Sequence, residues 1–139
     1  MQAPLYDEVN ELAIDIVNAS SSDDEESAVE AYTKLKDLCD SHDGGRLDHP
    51  LQWEALGDFS DSLEAAISAY EKGLACASRL SLPEYAASIK FAIAESHYEQ
   101  DNLSDARRFA REAKAEADNT DDGELQAAIS DFLNELGNP

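Results

Sequence analysis

Apolar positions recur at helical spacing from one end of the chain to the other. Leu5, Val9, Leu12, Ala13 and Ile16 trace one face of a first helix, with Asp7, Glu8, Glu11 and Asp15 elsewhere on it. The stretch Ser20-Ser21-Ser22-Asp23-Asp24-Glu25 breaks that pattern, and Ser22 with Glu25 three residues on has the spacing of a capping box. A second helix follows, with Ala28, Val29, Tyr32, Leu35 and Leu38 inward. It is expected to stop between Cys39 and His42, because Asp43-Gly44-Gly45 cannot continue it cheaply. Residues Leu51 to Phe59 predict a short helix with Trp53, Leu56 and Phe59 or Ser60 on one face, preceded by a cap at Asp48 or His49 before Pro50.

Asp61 or Ser62 is placed to cap the next helix, whose stripe is Leu63, Ala66, Ile67, Tyr70, Leu74, Ala77 and Leu80. The stretch from Pro83 to Asp118 then predicts two helices around the turn Asp101-Asn102-Leu103-Ser104. Ile89, Ile93 and His97 form one stripe of the first, and Phe91, Ala94 and Tyr98 a second beside it. The other helix aligns Leu103, Ala106, Ala110, Ala113 and Ala117, and such an alanine stripe allows close approach to a partner helix. A last helix, capped by Asp121 and Asp122, carries Leu125, Ala128, Ile129, Phe132, Leu133 and Leu136 on one side and Glu124, Asp131 and Glu135 on the other. Gly137-Asn138-Pro139 is its stop signal.

The second helices of successive pairs align with one another. Ala28, Tyr32 and Leu35 match Ala66, Tyr70 and Gly73, and then Ala106, Ala110 and Ala113, with 38 and 40 residues between first members. This pattern resembles the tetratricopeptide repeat, in which small and aromatic residues recur at these intervals. In the third unit the likeness extends to Ala94, to His97 and Tyr98, and to the turn Asp101-Asn102-Leu103, although Asp101 stands where the family has glycine and the period exceeds the usual ~34 residues. The resemblance implies an all-α fold of stacked antiparallel helix hairpins, a TPR-like α-solenoid of about three hairpins over residues 4–42, 50–80 and 83–118. A capping helix over 121–136 closes it, and residues 1–139 make one helical-repeat domain. The competing arrangement is an irregular helical bundle.

Charge narrows the function. With 31 acidic and 10 basic residues the formal net charge is −21, which opposes binding to nucleic acid phosphates or anionic lipid and favours fast capture of basic partners. The opening Met1-Gln2-Ala3-Pro4 leads into acidic, periodic sequence with no positively charged leader and no long apolar run, so a cytoplasmic location is expected. Cys39 and Cys76 read as small core or flank residues.

Candidate chemistry is sparse. His42, Asp43, Asp48 and His49 gather in one loop, but without regular ligand spacing. Asp118 to Gly123 opens like a calcium loop, yet its twelfth position is Ile129, where a bidentate glutamate is needed. No phosphate-binding glycine loop, zinc-spaced cysteine pair or nucleophile elbow occurs. The expectation is a protein that is not an enzyme and that has no cofactor and no metal site. Arg107, Arg108, Arg111 and Lys114 form the only basic cluster. Asp105 with Arg108, Arg108 with Glu112, and Lys114 with Asp118 have the spacing for local pairing.

What remains is surface. The repeat resemblance implies a concave groove lined by the first helices of each pair. Its candidate partner-binding residues are Ser88, Phe91, Glu95, Tyr98 and Glu99, extended by Glu54, Asp58 and Phe59 of the short helix. Aromatics flanked by carboxylates suit a partner rich in Lys and Arg with a few apolar anchors. The expected function is therefore an acidic immunity or antitoxin-type inhibitor of a basic, nuclease-like toxin or effector, acting as a monomer or small homo-oligomer. A TPR-like scaffold or chaperone for an extended peptide or secreted protein is the alternative.

Overall fold

The computed structural model describes residues 3–137, so Asn138 and Pro139 of the expected stop signal lie outside the described residues. Among the described residues the chain forms seven α-helices and no strand: α1 (Tyr6–Ser21), α2 (Glu25–His42), α3 (Pro50–Asp58), α4 (Leu63–Leu80), α5 (Pro83–Glu99), α6 (Leu103–Ala117) and α7 (Gly123–Leu136). Each packs chiefly on its neighbours in chain order, α1 on α2, α3 on α4, α4 on α5, α5 on α6 and α6 on α7, while α3 also touches α1 and α5. No helix among the described residues is long and apolar enough to cross a membrane.

The helix ends show how local chemistry sets these boundaries. Asp24, Ser62 and Asp122 each accept a hydrogen bond from the backbone N–H three residues on, satisfying a donor that the first turn leaves free. Asp24, and not the expected Ser22–Glu25 box, starts α2, because α2 begins only at Glu25. His49 caps α3 through Nδ1, which accepts from Leu51 N–H at 3.1 Å. Three helices share one C-terminal device. Asp23, Ser81 and Asp101 adopt φ of 56°, 57° and 61°, and the following N–H groups of Asp24, Leu82 and Asn102 donate to the carbonyls of Ala19, Ala77 and His97, five residues back. These are the hydrogen bonds of a Schellman end, with Asp or Ser in the left-handed position usually given to glycine. Asp101 thus makes the turn in which the repeat resemblance expects glycine.

Three apolar clusters run along the molecule. The first joins Val9 and Ile16 of α1 to Leu35 and Cys39 of α2 and to Trp53 and Leu56 of α3. The second packs Ala66 and Tyr70 of α4 on Ile89 and Ile93 of α5. The third sets Ala87 of α5 and Ala113 and Ala117 of α6 against Ile129 of α7. The alanine stripe of α6 is fully buried at Ala106, Ala110, Ala113 and Ala117, the close approach to α5 that its spacing predicts. Gly73 serves the same end on α4: a β-carbon there would lie 2.8 Å from Ile89 Cδ1 and 3.2 Å from Trp53 Cβ. Some stripe members fall outside. Val29, Leu80 and Leu103 are exposed, and Ala31, Cys39, Ala69 and Cys76 take the inward places, because the real packing faces are rotated from the most apolar line of each helix.

The loop between α2 and α3 is held by one buried carboxylate. Asp48 accepts from Gly44 N–H at 2.9 Å and from the Trp53 indole N–H at 2.7 Å, and it pairs with Arg79 of α4 at 3.2 Å. Asp43 pairs with Lys72 of α4 at 2.6 Å. Asp43, Asp48 and His49 are therefore committed to structure. Both cysteines are buried and free, and burial pushes the Cys39 thiol up to about 12.

Candidate partner-binding face

Glu54 and Asp58 lie one turn apart on α3, and Glu95 and Glu99 one turn apart on α5, so each pair shares a helix face. Contact between α3 and α5 brings those faces together. Ser88 of α5 donates through Oγ to Glu54 Oε2 at 2.5 Å, a direct tie between the two helices. From behind, Tyr70 of α4 donates its hydroxyl to Asp58 Oδ1 at 2.6 Å. The result is an open cleft of about 390 Å³ with Asp58, Tyr70, Glu95, Ser96 and Glu99 in its walls.

Gly57 makes this geometry possible. The Tyr70 ring occupies the space where a β-carbon on residue 57 would sit, 2.6 Å from Cδ1 and 2.8 Å from Cζ. Only a residue without a side chain lets the phenol cross α3 and reach Asp58. Neither Gly57 nor Tyr70 is among the site residues expected from sequence. The available signal was the glycine inside the short helix, which marks a close approach because it otherwise weakens the helix.

The carboxyl groups repel ionisation here. Burial pushes Glu54 up to about 7, with Asp58 adding to the shift and the Ser88 hydrogen bond opposing it. Asp58 and Glu95 keep an exposed edge, yet both lie above the usual carboxylate range. For Asp58 the cause is burial, opposed by the Tyr70 hydrogen bond. For Glu95 it is burial first, then the charges of Glu99 and Asp58. Burial, and then Asp58, hold the Tyr70 phenol above its ordinary value.

Seven of the chain's ten lysines and arginines pair elsewhere. Lys34, Lys36, Lys72, Arg79, Lys90, Arg108 and Lys114 are all in ion pairs. Among the described residues none of those pairs involves Glu54, Asp58, Glu95 or Glu99. The pairings foreseen on α6 form: Arg108 with Asp105 and Glu112, and Lys114 with Asp118.

The three aromatic candidates sit apart from the cleft. Phe91 meets Phe132 of α7 edge-on at a centroid distance of 5.4 Å, and Tyr98 meets the same ring at 5.6 Å. Phe59, at the end of α3, packs on the first apolar cluster. Of the eight residues proposed from sequence, the structure thus gathers Glu54, Asp58, Ser88, Glu95 and Glu99. It places Phe91 and Tyr98 against α7, a contact that the spacing within α5 could not reveal.

Comparisons with protein-family models, with curated proteins and with solved structures find no match.

Proposed function

We propose that this chain is a non-catalytic binding module that captures a basic protein partner on the α3–α5 face, as an immunity or antitoxin-type inhibitor does. Its helices are read as a TPR-like array of three hairpins closed by α7. The observation that carries this reading is a cleft walled by Asp58, Asp61, Glu95 and Glu99, with Glu54 one turn from Asp58 on α3, and among the described residues no ion pair joins any of these carboxylates to a lysine or arginine. Assembling like charges this way raises the energy of the free protein. A partner's Lys or Arg side chains entering the cleft relieve that repulsion, and the formal charge of −21 steers such a partner from a distance.

Co-purification from the native host at low salt, with release at high salt, tests this. The expected product is a folded, basic protein in an equimolar complex whose association rate falls steeply with ionic strength. Recovery of an acidic partner, or of a complex indifferent to salt, would overturn the reading.

A further inference from the structure

The outer side of α1 breaks the rule that governs the rest of this surface. At about 100° per residue, Tyr6, Asn10, Ala13, Ile14 and Val17 fall on one side of the helix, and this strip carries no charge. Asp7, Glu8, Glu11 and Asp15 all lie elsewhere, with Asp7 and Glu11 along one border. Tyr6, Ile14 and Val17 are 40%, 50% and 51% exposed, so three of the large apolar side chains left open to solvent stand on this one strip. The last helix behaves differently: α7 turns Ile129 inward and presents Glu124, Asp131 and Glu135 to solvent, as the end of a stacked array requires. The first helix packs chiefly on α2 and α3, and its strip is left open.

A second copy of the chain is a poor occupant. Three half-exposed side chains fall short of the ~800 Å² per partner that a stable dimer buries, and the contact would bring two chains of charge −21 together.

We infer that the α1 strip receives a basic amphipathic helix of the partner, its apolar side chains on Ile14, Val17 and Tyr6 and its Lys and Arg residues towards Asp7 and Glu11. This rests on the basic-partner reading above and adds an apolar anchor to it. The anchor supplies what the carboxylates cannot: a contact that selects one basic surface among many, and that holds when salt screens the charges.

The test uses a short synthetic helix of Leu and Lys with Leu on one face, and a peptide of the same composition scrambled so that no face is apolar. Binding is followed by titration calorimetry at low and high salt. The wild-type protein is expected to hold the amphipathic peptide at least about tenfold more tightly than the scrambled one. Ile14→Ser with Val17→Ser is expected to abolish that difference without altering binding of the scrambled peptide. Circular dichroism checks the fold, and Ile14→Thr alone must move affinity in the same direction. If the double variant keeps the preference, the inference is overturned while the basic-partner reading stands. If neither peptide binds the wild-type protein, the basic-partner reading fails and takes the inference with it. A dimer in sedimentation that strengthens with salt and is lost in the double variant would overturn it in favour of a second copy.

Discussion

The ring of Tyr70 lies where residue 57 would carry its side chain, so Gly57 and Tyr70 are complementary halves of one contact between α3 and α4. That contact delivers the phenol hydroxyl to Asp58 at 2.6 Å and shapes the back wall of the acidic cleft. Gly57→Ala is expected to destabilise the protein by roughly 1–3 kcal/mol through overpacking, although alanine favours helix over glycine. Urea denaturation measures it, and a stabilised variant would show that α3 and α4 separate freely at this point.

Asp48 ties the α2–α3 loop to two helices. Asp48→Ala removes the acceptor for the Trp53 indole and for Gly44 N–H, and leaves Arg79 without its carboxylate. A loss of about 2–3 kcal/mol is expected, because a buried donor left unpaired costs its full desolvation. Trp53 is the only tryptophan, so its emission reports the same event: a red shift in the native state accompanies the lower unfolding midpoint. Unchanged emission and midpoint would contradict the role given to Asp48.

Glu54 makes stability depend on pH in a definite direction. Its folded value of about 7 exceeds the ordinary 4.5, with burial the main cause and Asp58 contributing. The folded protein therefore holds this proton more tightly than the unfolded chain does. The stabilising contribution is complete below the ordinary value and is lost as pH rises towards about 7. Glu54→Gln keeps an acceptor for Ser88 and carries no charge. The variant is expected to exceed wild type in stability at about pH 8 by on the order of 2 kcal/mol, allowing for the partial exposure of Glu54. The gap closes as pH falls below 4.5, where the Glu54 side chain is neutral in the folded and the unfolded chain alike. A difference that does not vary with pH would contradict this.

Glu95 and Glu99 stand on the cleft wall with no cation of the described chain paired to them. Replacing both by lysine, Glu95→Lys with Glu99→Lys, changes the local charge by four units and leaves the buried stripe of α5 untouched. Capture of the basic partner recovered from the host is expected to slow by about tenfold or more in stopped-flow mixing at low salt, with helicity unchanged. Equal rates would move the binding face away from this cleft.

Periodicity and capping chemistry determined a great deal by themselves. The helical character, the places of all seven helices and the full burial of Ala106, Ala110, Ala113 and Ala117 follow from spacings within single segments. So do the ion pairs on α6, because partners three or four residues apart meet whatever the rest of the chain does. Glu95 and Glu99 on α5, and Glu54 and Asp58 on α3, were singled out through the resemblance to a helical repeat and not by spacing alone. Tertiary structure alone decided which faces meet. It turned Val29 and Leu80 outward, gave Phe91 and Tyr98 to Phe132, passed Tyr70 across Gly57 to Asp58, and left Ile14 and Val17 open on α1. Each of those outcomes depends on the rotation of one helix against another, which is fixed by side chains far apart in sequence, and no local pattern encodes it.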